Sequence, residues 1–559
     1  MGLGALTTAC VRGGTKSSTS STPVSATSPA GPADQIVLGR VLTFDSTHPE
    51  ATAVAIAGSQ IIAVGERDAV MDQRGPATEI LDVGAGLVTP GLVDAHAHLM
   101  GLGATLEQID VRGARSIAEV IRRIRAMDRG QPWLLGRGWD QNLWPGKTMP
   151  THEPLTEAFP DRPVWIRRVD GHAGWANQAT LNAAGIGADT RTPDGGEILR
   201  TPDGHPTGVL VDAATALVQP PPPGPKDRQR QLDTAQSHVL ARGLTGVHDM
   251  GVSAAVDALY RERATARDPA RRLGLRVFGY ADADWLPVLA AERTAERPTA
   301  EDRYTLLGVK LYADGALGSR GAALLAPYHD RPNHRGLMQQ DPSTLRAACE
   351  QAAGGGWQIA THAIGDAANR LVLDTYAAVI RHHGLTDARL RIEHAQVVDP
   401  TDIPRFAEHG VIASMQPTHA TSDMPWAPDR LGPDRLAGAY AWRRFLDAGV
   451  RLCFGSDFPV ERVDVTHGLH AAVTRQDAQG QPAGGWRPDQ RLTLSETIAA
   501  FCYEAAFASF CEGFLGMIKA GYQADLTCFR DDLRSLPPSE IREANVAATL
   551  VGGEVRYRA

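Results

Sequence analysis

LVTPGLVDAHAHL, residues 87–99, is an apolar run that ends in two histidines spaced i, i+2. Side chains alternate along a strand, so His96 and His98 share one face and can chelate a single divalent ion. An isolated His-x-His is a moderate signal, because two histidines can share a strand by chance. The position at the end of an apolar strand strengthens it.

Working outward, the same texture recurs between roughly Gly86 and Lys519: 133–140, 164–172, 244–251, 275–280, 306–315, 357–366, 390–396, 411–417 and 452–460 are short apolar runs. Helical stretches such as IAEVIRRIRAMD (117–128) separate them. Strands buried on both faces and joined by amphipathic helices indicate an α/β fold with a parallel sheet and crossover helices. Their number and length favour a (β/α)8 TIM-type barrel over residues 89–518 rather than an open sheet. In such a barrel, chemistry sits at the C-terminal strand ends.

Before and after this middle the texture is that of short antiparallel strands and hairpins: 36–44, 51–58 and 60–66, then 524–530, 546–553 and 554–559. Residues 35–88 and 519–559 are therefore expected to build one small composite β-sandwich. The first 34 residues read as a disordered leader rich in Ser, Thr and Pro. Small residues before Cys10 resemble the end of a lipoprotein signal, but MGLGAL is short for a signal core and lacks a basic start. A lipid anchor at Cys10, with export, is one reading; a plain tail on a cytoplasmic protein is the other.

The chain has 559 residues, 43% hydrophobic and 21% charged, with a formal net charge of −8, as for a globular protein larger than one small core. Basic residues are scattered, which argues against nucleic acid as a partner. No stretch approaches the roughly 18–20 apolar residues of a membrane span. Six cysteines show no Cys-x-x-Cys pairing, so any metal is expected on nitrogen and oxygen ligands.

Three more runs end in a ligand-type residue: QIATH in His362, RIEH in His394 and CFGSD in Asp457. Singly each is weak, since a buried histidine is more often a satisfied core residue and a strand-end Asp is often a helix cap. On successive strands, in the order HxH, H, H, D, they form a constellation. Lysine occurs only five times among 56 basic residues, and Lys310 lies inside an apolar strand. A buried ammonium must pair, react or lose its charge. If neutral, its amine can add carbon dioxide and give a carbamate able to bridge two metals. The simpler reading is a snorkelling or ion-paired lysine, with Asp314 as partner.

TPGLVDAHAH (89–98), VKLYADGALGSRGAAL (309–324), THAIGD (361–366), RIEHAQ (391–396) and GSDFPV (455–460) resemble the amidohydrolase superfamily, in its amidohydrolase-3 branch of YtcJ-like metal-dependent hydrolases. The resemblance extends through GRGWDQNLWP, residues 162–186, 195–214 and 243–251, nearly the whole chain from Gln35. It implies a barrel with a composite β-sandwich, and metal-activated hydrolysis of an amide or related C–N bond. Carried over, His96, His98 and Asp457 hold one ion and His362 and His394 the other, with carboxylated Lys310 between them. Asp212 stands where the branch often has Glu, and Thr156 where Asp is common, so substrate contacts near them are in doubt.

Two such ions, taken as zinc although iron, manganese or nickel suit the same ligands, would share and acidify a water and polarise the scissile carbonyl. Asp457 would act as general base and acid. Asp170 and His172, at i and i+2, are expected at the same lumen, with His172 on the substrate carbonyl or its oxyanion. Asp170, Trp139, Asp140 and Asp314 are the expected substrate contacts, with Trp144 nearby; His248 and Asp249 are a weaker pair. A small molecule is the expected partner and a homodimer the expected assembly. The same metal barrel could instead hydrolyse an ester, isomerise or hydrate, and a non-catalytic metal-binding scaffold is the remaining alternative.

Overall fold

The computed structural model describes residues 31–168, 173–193 and 196–559, the side chains of Asn142 and Asp212 aside. Cys10, Asp170 and His172, with nearly all of the leader, lie outside the described residues. Among the described residues, no helix is long and apolar enough to cross a membrane.

Eight of the ten apolar runs form one parallel sheet: β1 (Leu92–Ala97), β2 (Leu244–Val252), β3 (Arg276–Asp282), β4 (Tyr304–Tyr312), β5 (Gln358–Ala363), β6 (Arg391–His394), β7 (Ile412–Met415) and β8 (Leu452–Phe454). Each pairs with the next in parallel from β1 to β8. Unbroken apolar strands are stable here because both faces are covered, the outer one by helices such as Asp366–His383, which buries Val372, Tyr376 and Val379. The register sets Tyr312 opposite His362 and Ala363 opposite His394, so the polar residues of successive strands collect at one end.

No ladder joins β8 back to β1 among the described residues. The barrel closes through single bonds instead. His98 N donates to Phe458 O (2.9 Å) and Asp457 N to His96 O (2.8 Å). The Asp94 carboxylate accepts Ser456 N (3.0 Å), Ser456 Oγ (2.6 Å) and His96 N (3.1 Å). Gly455 permits the approach, since a Cβ there would lie 2.4 Å from His96 N. Closure of the barrel and delivery of Asp457 to the two histidines are one set of contacts.

The other two runs, 133–140 and 164–172, are not barrel strands. Leu134–Trp139 and Val164–Arg168 belong to a separate six-stranded sheet, inserted between β1 and β2, that continues through Ala173–Ala176, Pro206–Asp212 and Gly196–Arg200. It has its own core around Trp139, Trp144 and Trp175. A short apolar run buried on both faces has the same periodicity in either sheet, so pattern alone does not separate them.

Strands from the two ends of the chain meet in one seven-stranded sheet, where Leu526–Phe529 pairs antiparallel with the end of Arg74–Pro90. That strand runs on through Gly91 into β1. A buried ion pair, Arg276 Nε to Asp525 Oδ2 at 2.8 Å, ties the start of β3 to this sheet.

Candidate metal centre

His96, on β1, is fully buried, and its Nδ1 is 2.6 Å from Glu393 Oε2. His98 turns its Nδ1 to the Met250 carbonyl at 2.7 Å, and His394 turns its Nδ1 to Gln416 Oε1 at 2.8 Å. An acceptor at Nδ1 favours the tautomer with its proton there and turns Nε2 toward the site, the arrangement of a metal-ligating imidazole, although His96 Nε2 also meets Lys310 Nζ at 3.2 Å.

These lone pairs converge on Asp457. Its Oδ1 is 3.2 Å from His98 Nε2 and 3.6 Å from His96 Nε2, and its Oδ2 is 3.6 Å from His419 Nε2. Ligand atoms about 2.1 Å from a tetrahedral ion stand roughly 3.4 Å apart, so the spacing suits a shared cation. Of three groups among the described residues that could each hold an ion, two lie here: His96, His98 and Asp457, and His394, His419 and Asp457. His362 lies beside His394, ring centroids 4.6 Å apart, while its Nε2 faces Asp314 Oδ1 at 3.6 Å.

The fit to a cation can be tested on the orphaned atoms. Asp457 Oδ1, His362 Nε2 and His419 Nε2 are buried and make no hydrogen bond among the described residues. Such an atom costs about 1–3 kcal/mol when nothing meets it. Three of them at one end of a barrel mark a place built for a bound group. His394 and Asp457 also hold left-handed backbone, φ +73° and +61°, a strain that side chains other than glycine accept where the surroundings impose it.

The electrostatics favour uncharged imidazoles at three of the four expected histidines; at His98 burial is overcome by the Asp457 carboxylate, which raises the ring above its ordinary value. Burial, then the nearby Lys310 charge, lowers His96 to about 4 and His362 to about 3, and burial holds His394 well below its ordinary value. Uncharged imidazoles are the form that binds metal. Burial alone would raise the Asp457 carboxyl, but His96, His98, His394 and His419 outweigh it and keep the group well below the usual carboxylate range. Lys310 is 1% exposed, with Nζ 3.2 Å from His96 Nε2, and burial brings it down to about 8.

Beneath the ligands lies a buried chain of charge. Arg391 donates to both oxygens of Glu393 (2.8 and 3.1 Å), to Ala95 O (2.6 Å), to Ser414 Oγ (2.9 Å) and to Tyr280 OH (2.9 Å), and its Nη1 is 2.5 Å from His248 Nδ1. Glu393 is thereby held ionised against the cost of burial, and it orients His96.

The other expected site residues that are described have contacts of their own. Asp314 accepts the backbone amides of Ala323, Ile364 and Gly365, so it shapes the loops after β4 and β5 rather than pairing with Lys310. Trp139 is fully buried in the inserted sheet, its indole N–H spent on Ile166 O. Asp140 is 3.1 Å from Arg168. His248 is packed under the site, and Asp249 accepts Tyr260 OH and Leu99 N, both at 2.7 Å. Asp170 and His172 fall outside the described residues.

Sequence reading missed His419, Glu393, Arg391 and Asp94. Three are strand residues whose partners are remote in sequence. His419 follows β7 by four residues on the short helix Pro417–Asp423, and so does not end an apolar strand as the expected ligands do.

The model of the amidohydrolase family matches residues 79–557. Protein LONG AFTER FAR-RED 3 of Arabidopsis thaliana is 33% identical, over 96% of this chain and 94% of its own length. The N-substituted formamide deformylase of Arthrobacter pascens is 31% identical, over 93% of this chain and 98% of its own. A metal-dependent hydrolase from Pyrococcus furiosus superposes with a TM-score of 0.75 at 26% identity, over 89% of this chain and 99% of its own. With its barrel, its convergent imidazoles and a match over most of its length, the chain belongs to the amidohydrolase family of metal-dependent hydrolases.

Proposed function

We propose that this protein hydrolyses the C–N bond of a small N-acyl, N-formyl or cyclic amide, with two divalent ions, taken as zinc, at the end of the barrel. One ion is assigned to His96, His98 and Asp457, the other to His362 and His394, with Lys310 as a carbamate between them. The observation that carries this reading is the set of Nδ1-anchored imidazoles around an ionised Asp457, next to a buried lysine whose amine is brought toward neutrality. The 31% identity to an N-substituted formamide deformylase along nearly its whole length supports the choice of bond.

Bound ions supply Lewis acidity, polarising a carbonyl and acidifying water. The chain's own groups do the rest. Asp457 is ionised and beside the reacting space, so it can accept a proton from the attacking water and return it to the leaving nitrogen. Water oxygen ends on the acyl carbon and the C–N electron pair leaves with the amine. Glu393, clamped by Arg391, keeps the proton of His96 on Nδ1 throughout. His172 is assigned to the substrate carbonyl, and Asp170 to the same substrate.

The test is a panel of N-formyl and N-acyl amines, lactams and matched esters, offered to enzyme of known metal content and read as free amine plus carboxylate. Release of amine in preference to ester cleavage is expected. Turnover of esters alone, or of none of the panel at full metal loading, overturns the choice of bond.

A further inference from the structure

Asp457 presents its two oxygens to different histidines. Oδ1 faces His96 and His98, whereas Oδ2 faces His419, whose Nε2 is 3.6 Å away. His419 Nε2 is buried and makes no hydrogen bond among the described residues, its distance to Asp457 Oδ2 being just beyond that of one. The ring lies nearly parallel to that of His394, centroids 5.9 Å apart and planes at 22°. Ligand atoms of His394, His419 and Asp457 all fall within 4.8 Å of one another. The same short segment organises both rings, since Gln416 receives the Nδ1 of His394 and His419 follows three residues later.

We propose that His419 is a ligand of the second ion, supplied from beyond β7. The proposal rests on the two-ion reading above. His419 Nε2, within reach of Asp457 Oδ2 and on a ring beside that of His394, would add a nitrogen to the ligand atoms gathered there. The second ion would then depend on the β7 segment as well as on β5 and β6. This also accounts for a buried imidazole nitrogen left without a hydrogen bond, which in a settled core would have found a partner.

The experiment compares metal-free parent with His419→Ala and His419→Gln, each titrated with Zn(II) and with Co(II). Ions retained are counted by mass spectrometry, and the visible cobalt spectrum is recorded. Thermal melts of the metal-free forms check that the variants fold. The parent is expected to take two ions. Both variants should keep one near parental affinity and bind the second at least about tenfold more weakly, with an altered cobalt spectrum. Variants that take two ions with parental affinity and spectrum overturn the assignment of His419. A parent that takes a single ion overturns the two-ion reading and this proposal with it, a result visible in the parent titration alone.

Discussion

The Asp94 carboxylate on β1 holds the backbone amide and the hydroxyl of Ser456, just past β8, at 3.0 and 2.6 Å. This grip takes the place of a ladder between the first and last strands and sets the next residue, Asp457, beside His96 and His98.

Asp94→Ala removes the acceptor for three buried donors, those of Ser456 N, Ser456 Oγ and His96 N. A loss of about 2–4 kcal/mol is expected in urea unfolding of the metal-free protein, with weaker binding of the ion at His96 and His98. Asp94→Asn keeps an acceptor and should lose less. Equal stability of Asp94→Ala and parent would show that the seam is held by other contacts.

Asp457→Asn keeps an oxygen ligand but no base. Turnover is expected to fall by about 10²–10⁴. The ion shared with His96 and His98 should stay bound, as measured by metal content before assay. Parental turnover at equal metal loading would assign the proton transfer elsewhere.

Lys310 predicts a pH dependence. Burial lowers its folded value to about 8, below the 10.5 of an ordinary lysine. The unfolded chain therefore binds the proton more tightly, and folding carries a penalty that is fully present below about pH 8 and is relieved as pH rises toward 10.5. The penalty is roughly 3 kcal/mol at most. The urea midpoint of the metal-free parent, minus that of Lys310→Met, should rise across this window and stay flat below it. A constant difference from pH 7 to 10 would place the lysine in a solvated site. In the holoenzyme, labelled bicarbonate should yield a carbamate carbon signal that the variant lacks.

Glu393 and Arg391 separate orientation from stability. Glu393→Gln retains shape but weakens the hold on His96 Nδ1, and metal affinity is expected to fall about 10–100-fold with a modest change in melting. Arg391→Met leaves Glu393 as a buried, uncompensated charge and should cost about 3–5 kcal/mol. If both variants lose only stability, Glu393 is a core ion pair with no influence on the metal.

Much of the metal centre is legible in the amino-acid sequence. An HxH at the end of an apolar strand, and later strands ending in His362, His394 and Asp457, need only strand alternation and the barrel rule to be read as one site. Lys310 stands out because the chain uses so little lysine. Local pattern carries these because each is a property of one strand and its end.

The tertiary structure decided which segments meet. The runs at 133–140 and 164–172 have the same apolar texture as barrel strands, and only their pairing partners assign them to the inserted sheet. Trp139, expected to line the pocket, is the core of that sheet. Glu393 sits 297 positions from His96, Asp94 sits 362 from Ser456, and His419 reaches Asp457 from a helix after β7. Periodicity registers which face a side chain takes on its own element. It carries nothing about the element across the barrel, and the contacts of Glu393, Asp94 and His419 at this candidate metal centre are of that second kind.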